Sequence, residues 1–366
     1  MRIIVSGGGT GGHIYPAMAL IKRLQQRDLI EDVLYVGTEK GLESKIVKNA
    51  GIAFKTIEIQ GFKRKLTLEN VKTVSLFLSS IHKSKKIIKE FQPDIVIGTG
   101  GYVSSAVVYA AHTMHLPTVI HEQNTIAGVT NKFLANFVDK IAIAFTEAAD
   151  QFKQKQKIVF TGNPRAQEVV DIAPNDRLKE FNLAADKPTV MIFGGSRGAK
   201  PINEATINSL ERFTKADYQV LFVTGRVHYD NVIKLINKSV LDSENISVMP
   251  YIDNMPEILP DIELIVGRSG ATSIAEITAL GIPAIFVPSP YVTHDHQTKN
   301  AMSVSKVDAA ELIPESELNA DTLFEAVNKI MSDASLRQKM SENSKKIGVP
   351  DAADRLIKVL TGLVNK

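Results

Sequence analysis

Three times this chain runs from a short apolar, β-branched segment into a glycine-rich turn and then into a helical pattern. The turns are Gly7-Gly8-Gly9-Thr10-Gly11-Gly12-His13, Gly98-Thr99-Gly100-Gly101-Tyr102 and Gly194-Gly195-Ser196-Arg197-Gly198-Ala199. A fourth junction, Gly267-Arg268-Ser269-Gly270, follows the run Leu264–Val266 and leads into a helical pattern at Ala271–Leu280. Few architectures accept this arrangement. Short continuous apolar runs are strands buried on both faces, and helices alternating with them cover both faces of a parallel sheet. Ligands of such sheets bind beyond the carboxyl ends of the strands. A small-residue turn there opens a helix whose first N–H groups lack intrahelical partners, and these groups and the helix dipole together favour an anion.

The alternation covers the chain. Strand patterns fall at Ile3–Val5, Val33–Val36, Phe54–Ile59, Ile95–Gly98, Thr118–His121, Ile141–Ala144 and Ile158–Thr161, with helical patterns at Ile14–Leu24, Leu42–Asn49, Val71–Phe91, Ser104–Met114 and Gly128–Phe137. A polar, proline-containing stretch then runs from Gly162-Asn163-Pro164-Arg165 to Pro188, and the alternation restarts at Thr189–Phe193. At 366 residues the chain exceeds one core of ordinary size. The expectation is an α/β protein of two doubly wound domains, 1–163 and 164–349, facing each other across a cleft lined by carboxyl strand ends.

Composition narrows the chemistry. There is no cysteine, which excludes disulfides, a thiolate nucleophile and thiolate-ligated metal, and fits a reducing compartment. A net charge of +3 is too small to point to nucleic acid. The apolar run at the start of the chain is too short for a signal segment, and no stretch is long enough to span a bilayer, so a cytosolic protein is expected. No convincing Asp-x-Asp metal pair is present. His294 and His296 flank Asp295, but a plain polar loop, ending in Gln297 and Asn300, is the better reading of that stretch.

Gly7, Gly9 and Gly12 satisfy the G-x-G-x-x-G dinucleotide fingerprint, so an NAD(P)-dependent oxidoreductase is one reading. It needs an acid closing the second strand, and only Glu39 is offered, later than the usual spacing. His13 is foreign to such a site. At a helix start the dipole disfavours its cation, leaving a neutral imidazole suited to a general base; a helix-capping histidine is the plainer alternative. Asn124 ends the strand-terminal run His121-Glu122-Gln123-Asn124 and can bind a substrate hydroxyl or amide, or be an ordinary loop residue. Glu276, about one turn into its helix, is badly placed for phosphate and well placed for a sugar hydroxyl pair. Glycine turns on both walls suit a ligand with a phosphate-containing middle, such as a nucleotide–sugar, with Ser196 near phosphate and Glu276 near ribose. Transfer then requires a base for the acceptor hydroxyl and stabilisation of the departing diphosphate. A sensor that only binds the sugar nucleotide would not need His13.

The segment Gln60–Gln92 stands apart. It carries eight basic residues, Lys63, Arg64, Lys65, Lys72, Lys83, Lys85, Lys86 and Lys89, against Glu69 and Glu90. At helical spacing Val74, Phe77, Leu78, Ile81, Ile88 and Phe91 form one apolar stripe, read as core. Leu76 and Ile87 fall outside it, beside Lys72 and Lys83, and Phe62 lies in the preceding basic loop. A basic face with stray apolar residues is what an interfacial membrane-binding surface requires; a solvated charged helix is the commoner alternative.

The motifs GGGTGGHIYP, HEQN at 121–124, GNP at 162–164, GGSRGA at 194–199, YIDNM at 251–255, RSGATSIAE at 268–276 and HQTKNA at 296–301 occur in this order over nearly the whole chain. Together they resemble the MurG family, the peptidoglycan GlcNAc-transferases acting on lipid I. The resemblance implies a GT-B fold and inverting transfer from UDP-GlcNAc to the MurNAc 4-hydroxyl of undecaprenyl-pyrophosphoryl-MurNAc-pentapeptide, giving lipid II and UDP, with no cofactor. It implies His13 as base, and Thr10, Gly11, Gly12 and Asn124 as binders of donor sugar and phosphate. Ser196 would meet the diphosphate, with Ala271 and Thr272 at the adjoining helix start, the Ile252 backbone uracil, Glu276 ribose and Gln297 the GlcNAc hydroxyls. Arg165 is assigned to the donor side, although it directly follows Pro164 where the family often carries GNP-x-Arg. The resemblance further implies docking on the anionic inner leaflet through Phe62, Lys63, Arg64, Lys65, Lys72, Leu76, Lys83 and Ile87. Contact with other cell-wall synthesis and division proteins is expected, nucleic acid is not, and the last helix, 350–366, would cross back to the first domain. A GT-B enzyme acting on another lipid, such as diacylglycerol, predicts the same donor motifs.

Overall fold

The computed structural model describes residues 1–61 and 68–365. Two compact units share the chain: residues 1–165 with 351–366, and residues 166–350.

The first unit holds a seven-stranded sheet of β1 (Arg2–Gly7), β2 (Asp32–Gly37), β3 (Ala53–Thr56), β4 (Ile95–Gly100), β5 (Thr118–Glu122), β6 (Lys140–Ile143) and β7 (Ile158–Phe160). All pairings are parallel, in the order β3-β2-β1-β4-β5-β6-β7. Helices α1 (Gly11–Gln26), α2 (Glu43–Asn49), α3 (Leu68–Phe91), α4 (Tyr102–Thr113) and α5 (Val129–Leu134) connect the strands. Strand alternation sorts the core onto two faces. Ile3, Val5, Ile95 and Ile97 pack on one face with Leu20 and Leu24 of α1, whereas Ile4 and Val96 pack on the other with α4.

The second unit holds α6 (Arg165–Val170, opening at the unit boundary), β8 (Thr189–Phe193), α7 (Lys200–Phe213), β9 (Gln219–Val223), α8 (Tyr229–Leu235), α9 (Lys238–Leu241) and β10 (Ile246–Met249). It continues with α10 (Met255–Ile258), β11 (Leu264–Gly267), α11 (Ala271–Leu280), β12 (Ala284–Phe286), α12 (His296–Ser305), β13 (Ala310–Leu312), α13 (Ala320–Met331) and α14 (Ala334–Ile347). Its parallel sheet runs β10-β9-β8-β11-β12-β13. The last helix, α15 (Ala352–Val364), packs in the first unit: Leu356, Ile357 and Leu360 are buried with Leu20 and Leu24, and Arg23 and Arg27 both pair with Asp354, at 2.8 and 2.9 Å.

Two sequence expectations change. Gln297 and Asn300 lie on α12, not in a loop. That helix buries only Asn300, Ala301 and Val304, too narrow a stripe for periodicity to reveal, and it follows His294 and Asp295 at left-handed φ of 57° and 52°. The predicted core stripe of α3 holds in part: Ile88 is buried and Phe77, Ile81 and Phe91 pack against the core, but the inward face is rotated from its predicted setting. Ile87 is only 5% exposed and sits in the core, so it offers nothing to a membrane, while Val74 and Leu78 of the supposed core stripe are 46% and 61% exposed. The cause lies in small polar residues facing inward. Thr73, Ser80 and Ser84 are buried, Thr73 accepts from Gln60 Nε2 at 2.8 Å, and Ser80 donates to the Glu58 carbonyl at 2.6 Å. Phe62, Lys63, Arg64 and Lys65 lie outside the described residues, as does the side chain of Lys72; Leu76 is half-buried and Lys83 exposed.

Candidate functional site

In each unit the chain winds from a central strand to one edge and then returns to the other side. The carboxyl ends of β1 and β4, and of β8 and β11, are therefore the switch points where doubly wound sheets bind ligands. The singled-out glycine turns all fall there.

In the first unit the two turns interlock. The Gly8 N–H donates to the Gly100 carbonyl at 3.1 Å, and a Cβ on Gly101 would stand 2.4 Å from the Gly8 carbonyl oxygen. Tyr35 donates its hydroxyl to the Gly7 carbonyl at 2.8 Å; burial above all, then the Glu43 charge, pushes its pKa up and keeps it a donor. Thr99 donates to the His13 carbonyl at 2.8 Å. The His13 ring lies against Gly100, whose φ is +109°; a Cβ there would meet ring Cδ2 at 2.8 Å and Nε2 at 2.9 Å. His13 Nδ1 is 2.8 Å from the Gly8 carbonyl. A carbonyl only accepts, so Nδ1 carries the hydrogen, and in the neutral ring Nε2 keeps the lone pair. Thr10 is exposed beside it, and the Gly11 and Gly12 N–H groups precede the first α1 bonds, which run from His13 and Ile14 to the Thr10 carbonyl.

Two buried carboxylates escaped the sequence reading. Glu122, 2% exposed, accepts from the backbone N–H groups of Asn124 and Gly128 at 3.0 and 2.9 Å and from Asn131 Nδ2 at 2.9 Å, which fixes the turn carrying Asn124. Glu43, fully buried, accepts from Thr38 N–H at 3.0 Å, Thr38 Oγ1 at 2.6 Å and Gly9 N–H at 3.2 Å. Its carboxylate also fills the space over Gly8 and Gly41. The glycine loop thus has an anion of its own, bound to a backbone N–H that a dinucleotide pyrophosphate would need, while Glu39 is exposed. This weighs against the dinucleotide reading. Alongside, Gln123 Nε2 donates to the Thr99 carbonyl and to His121 Nδ1, and His121 Nε2 donates to the Gly162 carbonyl at 2.9 Å. Burial holds the His121 pKa below its ordinary value, against the opposing Gly162 hydrogen bond and Glu122 charge. Arg165 has its guanidinium 5.7 Å from the Tyr15 ring, two residues past His13.

In the second unit the Gly194–Ala199 turn is drawn tight against the end of β9. A Cβ on Gly198, at φ +74°, would stand 2.1 Å from the Thr224 carbonyl oxygen, and Ser196 and Arg197 are exposed at the tip. At the end of β11, Gly270 caps α11, leaving Ala271 and Thr272 in its first turn; the Thr272 hydroxyl is buried with no partner. Glu276, 8% exposed, is one turn further on the same face. Gln297 ties this end together: its Oε1 accepts from Ser289 N–H at 2.9 Å, and its carbonyl accepts from Ser269 Oγ at 2.8 Å. Ile252, buried, follows β10. A cavity of about 570 Å³ lined by Ile262, Pro283 and Arg337 opens at the amino ends of β11 and β12, away from these residues.

Two doubly wound parallel-sheet domains, each with a glycine turn at its switch point, make up the GT-B fold, the fold of many nucleotide-sugar glycosyltransferases. Residues 3–143 match the glycosyltransferase family 28 N-terminal domain and residues 189–356 its C-terminal domain. The chain belongs to the MurG family. It is 59% identical to the UDP-N-acetylglucosamine–N-acetylmuramyl-(pentapeptide) pyrophosphoryl-undecaprenol N-acetylglucosamine transferase of Latilactobacillus sakei, over 99% of this chain and 100% of that one. It is equally 59% identical to the Pediococcus pentosaceus enzyme of the same name, over 98% and 99% of the two chains. The crystal structure of Acinetobacter baumannii MurG superposes with a TM-score of 0.78 at 28% identity, covering 99% of both chains.

Proposed function

We propose that this protein transfers GlcNAc from UDP-GlcNAc to the MurNAc 4-hydroxyl of lipid I, giving lipid II and UDP. The observation that carries this reading is the state of His13: Nδ1–H is tied to the Gly8 carbonyl, so the neutral ring offers Nε2 as a base. The step is a single displacement with inversion. Nε2 takes the proton of the acceptor hydroxyl as its oxygen bonds to the sugar C1, and the C1–O bond to the diphosphate breaks with its electron pair leaving on UDP. The first unit handles the acceptor, with Thr10, Gly11, Gly12, Asn124 and Arg165 meeting donor sugar and phosphate. The second unit holds the donor. Ser196 and the first turn of α11, with Ala271 and the partnerless hydroxyl of Thr272, suit the diphosphate, where N–H groups and the helix dipole stabilise its growing charge. Glu276 takes ribose, the Ile252 backbone uracil and Gln297 the GlcNAc hydroxyls.

The first unit docks on the cytoplasmic face of the membrane. Among the described residues no helix is long and apolar enough to cross it. Val74 and Leu78 are exposed on α3, and the rings of Phe77, Tyr109, Phe133 and Phe137 pack in tilted and edge-to-face pairs across α3, α4 and the α5 region with centroids 5.0–6.4 Å apart. Exposed Lys83, Lys86 and Lys89 follow on α3. Apolar residues and lysines together suit an anionic interface.

UDP release tests the reaction, with UDP-GlcNAc as donor, a short-chain lipid I analogue as acceptor and diacylglycerol as control. Release dependent on the lipid I analogue is expected, and is lost in His13→Ala while UDP-GlcNAc still binds. Release with diacylglycerol alone refutes the acceptor, and loss of donor binding in His13→Ala refutes the base assignment.

A further inference from the structure

The Gly8 carbonyl that holds His13 and the Gly9 N–H that binds Glu43 are the two ends of one peptide group. His13 Nδ1 lies 2.8 Å from that carbonyl oxygen, and Glu43 Oε2 lies 3.2 Å from that nitrogen. The other contacts of the Glu43 carboxylate are Thr38 N–H and the Thr38 hydroxyl, so every neighbour donates, as an ionised carboxylate requires. The Glu43 side chain itself is fully buried. We infer that Glu43 is a positioning residue for His13, acting through the Gly8–Gly9 peptide: a carboxylate–peptide–imidazole relay. The inference rests on the reading of His13 as the base.

A carboxylate on the N–H end of a peptide polarises it, which makes the carbonyl at the other end a stronger acceptor; hydrogen bonds in series strengthen one another in a buried setting. A stronger acceptor at Nδ1–H stabilises the imidazolium that forms when Nε2 takes a proton, and it holds the tautomer that leaves Nε2 free. A catalytic triad places its carboxylate directly on Nδ1–H; here one peptide stands between. Also near the ring are the Thr10 hydroxyl at 3.5 Å from Nδ1 and Gly100 of the β4 turn, and the Tyr35 hydroxyl binds the adjacent Gly7 carbonyl. Arg165, over Tyr15, is the cation placed on the same helix start. The spacing explains the glycines too: a Cβ on Gly8 would stand 2.6 Å from the Glu43 carboxyl, so the relay closes only over a bare backbone.

Glu43→Gln keeps the shape and removes the charge. The test uses the full chain with labelled histidine, the His13 resonance being assigned by its loss in His13→Asn, and follows the His13 titration by NMR beside turnover and UDP-GlcNAc affinity. The expected result is a His13 titration lowered by about half a unit to one unit, turnover at neutral pH reduced about tenfold, and donor affinity within about threefold of the parent. An unmoved His13 titration in folded Glu43→Gln overturns the relay, whatever turnover does. Should Glu43→Gln not fold, Thr38→Val keeps the carboxylate and removes one of its donors. A relay then leaves the His13 titration level or raised, whereas a lowered one overturns it. Full activity in His13→Asn would instead defeat the base assignment, and the titration result would still stand or fall separately.

Discussion

Gly100→Ala puts the geometry around His13 under direct load. Gly100 has φ +109°, and an added Cβ would stand 2.8 Å from His13 Cδ2 and 2.9 Å from Nε2, where ordinary contact begins at 3.4 Å. The ring must withdraw by about half an ångström. A misplacement of ~1 Å costs about a hundredfold in rate, so a loss of about ten- to a hundredfold in turnover is expected. The backbone adds a strain of about 1–3 kcal/mol, which lowers the melting temperature by roughly 2–4 °C per kcal/mol for a unit of this size. Gly51→Ala separates the two effects. Gly51 is also left-handed, at φ +71°, but a Cβ there meets nothing within 4 Å and it lies between α2 and β3, away from His13. Both variants should lose stability; only Gly100→Ala should lose turnover, with UDP-GlcNAc affinity unchanged by calorimetry. Turnover of Gly100→Ala within threefold of the parent would refute the claim that this glycine exists to seat the imidazole.

His121 is held neutral by burial, so its folded pKa lies below the ~6.5 of an unfolded histidine. As pH falls below ~6.5 the unfolded chain binds a proton that the native state refuses, so this contribution is full above that pH and is lost on acidification, by up to about 1.4 kcal/mol per pH unit. Urea denaturation between about pH 7 and about pH 5 should show a flatter profile in His121→Gln than in the parent. Leu360→Ala empties a fully buried position between α15 and α1 and should cost about 2–5 kcal/mol in the same experiment, while Lys358→Ala, on the exposed side of that helix, should cost almost nothing. Leu78→Glu should weaken sedimentation with anionic vesicles and leave the melting temperature unchanged, whereas Ile87→Glu should unfold the first unit, because Ile87 is core.

The parts of the fold legible in the sequence were those whose signal is local. Thr189–Phe193 and Ala271–Leu280 occupy the spans that their apolar run and periodicity predict, because a mostly buried strand and a regular helical stripe leave an unambiguous pattern. What failed was signal carried by polar residues that face inward. Thr73, Ser80 and Ser84 share the inward face of α3 with Phe77, Ile81 and Ile88 and leave Val74 and Leu78 outside, and Asn300 anchors a helix that composition made a loop. The glycine turns could be read as ligand loops, but their supports could not. Glu43 and Glu122 look like surface acids until the backbone brings N–H groups to them.

That blind spot explains why the first loop is ambiguous as text. Gly7, Gly9 and Gly12 satisfy a fingerprint whose glycines let a pyrophosphate approach the backbone. In this protein the approach is taken from within. Glu43 occupies the space over Gly8 and binds the Gly9 N–H. Gly100 and Gly101 are bare because the His13 ring and the Gly8 carbonyl lie against them. The same residue type is therefore required for a different neighbour at each position: a carboxylate, an imidazole, a carbonyl. Gly9, by contrast, is left-handed at φ +84° with nothing within 4 Å of an added Cβ, so a glycine marks a close neighbour at some positions and only a backbone turn at others.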